Sequence, residues 1–294
     1  MVDIDRILQT AVDMAEDISA SAIIIISVDL PWELDTDLPI LITSPSILST
    51  LNVIDVDLNE ENDQANRLQA LTKTIYHKAS KGSEQIIDAS SKAFISNLIE
   101  DCLIVGIVTL QGNLAIIIHD LNDNSVIQEL KACSERVNLN VLKTVLNIAL
   151  DIGSLGREGK SVGTAFIISD TEEVMRKSHQ LVLNPFLGQK KEECLILEPL
   201  NWETVKEFAQ LDGMFVIDSN GYIQASGRYL DVDAREVDII KGLGGRHASA
   251  AAITRDTEAV AITVSESGGM IRIYKDGLQI IELDPRTSKV FRHN

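Results

Sequence analysis

Positive charge is scarce in this 294-residue chain, which carries 26 Lys and Arg against 44 Asp and Glu and a net charge of -18. A field of that sign repels polyanions, which argues against non-specific binding to DNA, RNA or anionic membranes. An anionic ligand would therefore need a local device: backbone amides at a helix start, a few arginines, or a divalent metal held by carboxylates. Cysteine is equally sparse. Cys102, Cys133 and Cys194 are odd in number, widely spaced and without a CxxC pair, which suits reduced core thiols rather than disulfides or zinc ligands. Long apolar runs are missing too, because CLIVGIVTLQGNLAIII (102–118) is broken by Gln111-Gly112-Asn113 and reads as a hairpin, not a membrane span. The amino terminus, MVDIDRILQT, is acidic and amphipathic where a secretory signal would be basic and then apolar. A cytoplasmic location is expected.

What is present points to two α/β domains, since the length exceeds the usual single-domain size and 45% of the residues are hydrophobic. Ile4, Ile7, Leu8, Val12 and Ala15 share one helical face, and SAIIIISVDL (21–30) is the continuous apolar run of a buried strand. Helices are expected over 67–79 and within IIDASSKAFISNLIE (86–100), then a strand pair at 102–109 and 113–118. The first domain is expected over residues 1–125 and the second over 126–294. Two helices between 125 and 151, interrupted near Asn138, join the halves.

The second half carries the signals. GREGKSVGTAFIISD (156–170) is a turn feeding a strand; its glycines lack the spacing of a phosphate loop and read as structural. NPFLG (184–188) marks a turn. GMFVID (213–218) and YIQASG (222–227) form a hairpin through Asn220-Gly221, followed by a helix expected over 234–241. A helix over 246–254 and strands at 259–266 and 270–276 complete a mixed sheet flanked by helices.

Three places could hold chemistry. In GLGGRHASAA (242–251), Gly244 and Gly245 allow close approach of a ligand, and a helix starting at Arg246 offers unpaired amides with partial positive charge. Arg246 adds a fork of donors suited to phosphate, and His247 can donate to phosphate or ligate a metal. The same residues would also suit a purely structural cap. Asp212-Gly213, just before an apolar strand, can hold Mg²⁺ or Mn²⁺ or accept a proton, with an ordinary turn as the other reading. Ser265-Glu266 places a hydroxyl and a carboxylate at a strand end, where open sheets expose functional groups, or forms a solvated turn. His77, His119 and His179 stand apart from carboxylate pairs and are assigned no site.

LDGMFVIDSNGYIQASGRYL, GLGGRHASAAAITRDTEAVAITVSE and the upstream GREGKSVGTAFIISD with NPFLG resemble, in this order, the diadenylate cyclase domain shared with the bacterial DNA-integrity scanning proteins. The likeness runs from about residue 128 to 283. The amino-terminal half resembles the arrangement of the archaeal-type diadenylate cyclases, in which that half is similar to the carboxy-terminal domain of pyruvate kinase.

The resemblance implies condensation of two ATP molecules into cyclic di-AMP with release of two pyrophosphates, in a homo-oligomer whose active faces meet, with Mn²⁺ or Mg²⁺. The family's Asp-Gly-Ala motif falls on Asp212, Gly213 and Met214, and its Arg-His-Arg motif on Arg246, His247 and Ala248. By carry-over, Asp212 holds the metal and helps activate a ribose 3′-hydroxyl, and Gly213 lets the ribose lie against backbone. Arg246 and His247 grip the triphosphate, Ser265 and Glu266 sit beside phosphate or metal, and Leu230 faces adenine. Met214 and Ala248 depart from the motifs, Gly245 stands where many relatives have threonine, and Ser249 offers a nearby hydroxyl. A catalytically weak nucleotide-binding regulatory module and a purely structural assembly protein are the competing function classes.

Overall fold

A computed structural model describes residues 4–26, 34–43, 82–100, 102–110, 113–235, 237, 243–286 and 291–293. The chain divides into two compact units, Met1–Ser125 with Thr287–Asn294, and Val126–Arg286.

In the first unit, α1 (Ile4–Asp17) lays Leu8, Ala11, Val12 and Ala15 against the sheet, as the 3.6-residue spacing of its apolar positions requires. That sheet holds five strands in the order β12-β2-β1-β3-β4. Strand β1 (Ala22–Ile26) lies parallel to β2 (Ile40–Thr43) and β3 (Leu103–Leu110), while β4 (Asn113–Asp120) returns antiparallel to β3. All five residues of β1 are buried, so the apolar run is a central strand covered on both faces. A second helix, α2, spans 82–95. The helix expected over 67–79, the later part of the run 21–30 and the turn residues 111–112 lie outside the described residues. The last strand, β12 (Phe291–His293), pairs antiparallel with β2, so the end of the chain belongs to the first unit and not, as its sequence position suggested, to the second.

The second unit opens with α3 (Ser125–Ala132) and α4 (Leu139–Leu155), the latter capped by Asn138, whose side chain accepts from the Asn140 amide. Its sheet has seven strands in the order β11-β10-β9-β5-β7-β8-β6. Strands β5 (Thr164–Ile168) and β7 (Met214–Ile217) are parallel, and the other pairings are antiparallel. The hairpin of β7 and β8 (Ile223–Leu230) and the strands β9 (Val260–Val264) and β10 (Ile271–Lys275) stand where the sequence places them. The short edge strand β6 (Ser178–Gln180), the small helices α5 (Thr171–Arg176) and α6 (Trp202–Phe208), and β11 (Leu278–Leu283) complete the unit. Residues 234, 235 and 237 of the helix expected over 234–241 are not helical, and the others lie outside the described residues. In their place Arg235 folds back on Asp233 through its backbone and guanidinium, a local turn that competes with helix formation.

Helix α7 (Gly245–Asp256) packs Ala250, Ala251 and Ile253 on one face of this sheet, over Ala165, Ile167, Val216 and Ala261. Small residues along the helix let it lie close to the strands, which brings its first turn level with the ends of β5, β7 and β9. Residues 212, 246 and 266 meet there.

Candidate active site

Arg246 is the centre of the site. Its Nη2 lies 3.4 Å from Asp212 Oδ1 and its Nη1 lies 3.9 Å from Glu266 Oε2. The arginine side chain is 33% exposed and both carboxylates are largely in solvent, so these are long, screened contacts worth little to stability. A loosely held guanidinium between two open carboxylates is free to exchange them for the oxygens of a ligand.

The backbone around it supports the same use. Gly244 occupies the cap position of α7 with no side-chain hydrogen bond, and the amides of Gly245 and Arg246 find no acceptor among the described residues. Those amides and the helix dipole form an anion-binding end. Among the described residues nothing lies within 4 Å of where a Cβ would stand at Gly244 or Gly245.

Gly163 completes the wall and was not singled out from sequence. A Cβ there would sit 2.9 Å from the Glu266 Cβ and 3.1 Å from Arg246 Nη1. Its only sequence signal was a glycine directly before an apolar strand.

Gly213 behaves differently from its expected role. Its φ is +100°, and a Cβ would fall 2.4 Å from the carbonyl carbon of Gly227 and 2.7 Å from the Arg228 amide nitrogen. The missing side chain faces the neighbouring strand β8, not an open ribose subsite. Met214 and Leu230, expected beside ribose and adenine, are also core residues, 6% and 3% exposed, because their side chains point to the α7 face.

His247 is turned inward and does not lie alongside Arg246 on an open surface. Its ring is 4% exposed, and Nδ1 is 3.1 Å from the Tyr274 hydroxyl and 3.0 Å from Thr263 Oγ1. Burial, reinforced by the nearby charges of Arg272 and Arg246, lowers its pKa to about 4, so the imidazole is neutral at physiological pH. Burial likewise raises the Tyr274 phenol to about 12. The unfolded chain thus binds a proton at His247 between pH 6.5 and 4 that the folded chain refuses, and stability falls as pH drops through that window. The expected loss traceable to this group is about 3 kcal/mol. Urea denaturation at pH 7 and pH 4.5 checks it: the pH difference should shrink in His247→Gln, and an equal difference in both proteins removes His247 as the cause.

Ala248 and Ser249 are half-buried in the first turns of α7. Ser265 closes the turn after β9, donating from Oγ to the Ser267 carbonyl at 3.2 Å while its own carbonyl accepts from the Gly269 amide. It also borders a cleft of about 270 Å³ walled by Gly153, Ser154, Lys160, Ser161 and Arg286. The structure therefore brings Asp212, Arg246 and Glu266 together, sets Ser265 beside them along the chain, and buries Met214, Leu230 and the Nδ1 edge of His247.

Among the described residues no group of three or more His, Cys, Asp or Glu forms a protein cage. Asp212 and Glu266 lie against different nitrogens of the Arg246 guanidinium, and Mg²⁺ or Mn²⁺ is commonly held by one or two carboxylates together with substrate phosphates.

Both halves of the chain are similar to known protein families. Residues 152–278 match the family described as DAC, the DisA bacterial checkpoint controller nucleotide-binding domain, and residues 6–122 match the family described as "Probable sensor domain DacZ_A". A diadenylate cyclase of Methanocaldococcus jannaschii is 43% identical over 150 residues, covering 51% of this chain and 47% of that protein. A diadenylate cyclase of Haloferax volcanii is 41% identical over 178 residues, covering 60% and 61%. The matched region thus spans less than two thirds of either relative. Among solved structures, a double mutant of DacA from Staphylococcus aureus aligns with a TM-score of 0.30 at 21% identity, over 52% of this chain and 85% of that one. A hypothetical membrane spanning protein from Bacillus cereus aligns with a TM-score of 0.39 at 13% identity, over 74% and 98%. Residues 152–278 of the carboxy-terminal unit, which include Asp212, Arg246 and Glu266, are thus similar to the DAC nucleotide-binding family, and residues 6–122 are similar to the DacZ_A type.

Proposed function

We propose that this protein is a diadenylate cyclase, joining two ATP molecules into cyclic di-AMP and releasing two pyrophosphates. The observation that carries the reading is the convergence of Asp212, Arg246 and Glu266 at the uncapped start of α7. Two names of relatives and the DAC match support it.

The triphosphate binds at the α7 terminus, where the free amides and Arg246 hold phosphate oxygens and neutralise charge that grows as the α-phosphate is attacked. Asp212, at the same point, orients the ribose 3′-hydroxyl and accepts its proton. The attacking oxygen forms a bond to the α-phosphorus of the second ATP as the bond to pyrophosphate breaks, and the reciprocal step closes the ring. Mg²⁺ or Mn²⁺, when bound by Asp212 and Glu266, offsets the repulsion between the nucleotide and an acidic protein. Positioning and charge neutralisation suffice for such a transfer, so no covalent nucleophile is needed.

Two nucleotides that attack each other require two active faces, so the working unit is a pair of chains. The rate per chain is expected to rise with protein concentration until pairing saturates; a rate per chain that is flat from nanomolar to micromolar, with monomers throughout by light scattering, contradicts the paired site. The amino-terminal unit either senses a metabolite or builds the oligomer. No helix among the described residues is long and apolar enough to cross a membrane, and a cytoplasmic location fits ATP as substrate.

A second reading, a nucleotide-binding module without turnover, is favoured by Ala248, which removes a cation that the family motif supplies. Met214 does not favour it, because that side chain is buried in the core and leaves the site unobstructed. Titration with ATP beside a pyrophosphate-release assay separates the two readings: binding with no release in Mg²⁺, Mn²⁺ or Co²⁺ would establish the module.

A further inference from the structure

A second arginine stands beneath the start of α7. Arg272 of β10 lies directly opposite Thr263 of β9 and Glu282 of β11, so the three form a row across the sheet on one face. That face is the one α7 covers, because Thr263 Oγ1 is 3.0 Å from Nδ1 of His247, the third residue of the helix. Tyr274, two residues along β10 and therefore on the same face, reaches the same nitrogen at 3.1 Å. Directly opposite side chains on antiparallel strands have Cβ atoms about 5 Å apart, which sets Arg272 beside the first turn of α7. Along β9 the chain continues from Thr263 to Ser265 and to Glu266, the carboxylate near Arg246.

The guanidinium of Arg272 is anchored at one nitrogen only. Its side chain is 11% exposed, and Nε donates to Glu282 Oε2 at 2.7 Å. Nη1 is enclosed without an acceptor among the described residues; Nη2 also makes no hydrogen bond there, but it is not enclosed. A largely buried cation with unused donors costs free energy. Its location adds to that cost, since a helix start carries partial positive charge and favours anions, not further cations. Arg246 brings another positive charge to the same turn. After burial, Arg272 and then Arg246 are the main causes that hold the His247 pKa down, so the charge of Arg272 acts at close range on the first turn of α7.

Like charges gathered at a helix start are stabilised by a bound anion, most of all by a polyanion. The first turn itself offers one arginine, because residue 248 is alanine. We propose that Arg272, anchored through Nε by Glu282, is a polyphosphate-binding residue that supplies the second cation of this site through its Nη2 edge. That the polyphosphate belongs to ATP rests on the functional reading above; the second cation does not.

Titration of the full chain with inorganic triphosphate, and separately with ATP and Mg²⁺, tests this. Arg272→Met removes the charge and should weaken binding of both anions roughly tenfold or more, the effect of losing a hydrogen bond to a charged group. Arg272→Lys, which keeps the charge, should lose less. Glu282→Gln keeps an acceptor for Nε and removes the competing negative charge, so both anions should bind roughly threefold tighter. A purely structural ion pair gives a different pattern: Arg272→Met and Glu282→Gln would both lower the urea midpoint and leave both affinities alone.

Unchanged affinities in a folded Arg272→Met protein overturn the proposal, as does unchanged or weaker binding in Glu282→Gln. Where Arg272→Met does not fold, Glu282→Gln decides. Inorganic triphosphate bound through Arg272 with no cyclic di-AMP made from ATP retains this inference and loses the cyclase reading. Cyclic di-AMP made by an Arg272→Met protein of wild-type ATP affinity does the reverse.

Discussion

Asp212→Asn is expected to lower cyclic di-AMP formation by roughly 10²- to 10⁴-fold, the usual effect of removing a group that takes a proton in the reacting complex. The side chain is open to solvent and touches Arg246 only at 3.4 Å, so the amide keeps its shape and disturbs no packing. ATP binding should survive, because the free amides at the start of α7 and the Arg246 fork remain. Initial rates by chromatography, with affinity by titration on the same preparation, separate the two effects. An unchanged rate removes Asp212 from the mechanism, and a loss of binding equal to the loss of rate makes it a binding group alone.

Gly213→Ala is the largest expected effect on stability. The methyl group would have to occupy a point 2.4 Å from the Gly227 carbonyl carbon, at a φ of +100° that residues with a Cβ rarely adopt. Backbone strain and overpacking together cost roughly 2–6 kcal/mol. Neither neighbour can yield easily, since Gly227 itself has φ +71° and its own Cβ position lies 2.4 Å from Val182 Cγ2. Urea denaturation should show the loss; a midpoint within error of wild type means the two strands separate more freely than the structure indicates. Because Asp212 precedes this glycine, a folded Gly213→Ala protein should also lose turnover.

The contrast between Gly213 and Gly245 shows what a sequence can and cannot convey. Both stand beside a charged motif residue and both read as room for a ligand. Only contacts across strands distinguish them: Gly213 is filled by β8, whereas no described residue approaches Gly245. The hairpin around Asn220-Gly221 and the start of α7 were legible because local chemistry fixes them. The meeting of Asp212, Arg246 and Glu266 was legible only through the ordered motifs of a family, since these residues are separated by a helix and several strands.

What escaped is non-local. Tyr274 lies 27 residues from His247 and nothing in the spacing announces their hydrogen bond. Met214, as the third position of the Asp-Gly-Ala motif, and Leu230, as the family's apolar residue against adenine, were placed beside the nucleotide by resemblance; the two-residue alternation of a strand sends their side chains under α7. β12 pairs with β2 across nearly the whole chain, which no local pattern encodes. Gly163, as a neighbour of Arg246, needed the pairing of β5 with β9 to be seen.

The central claim is that a helix start with one arginine and two carboxylates converts ATP into a cyclic dinucleotide. Incubating the purified protein with ATP and Mg²⁺ or Mn²⁺, and resolving nucleotides by liquid chromatography and mass spectrometry, tests it most directly. The account predicts cyclic di-AMP with one pyrophosphate for each ATP consumed, and its disappearance in Arg246→Ala. ATP bound by paired chains, with neither product formed in either metal, would contradict it.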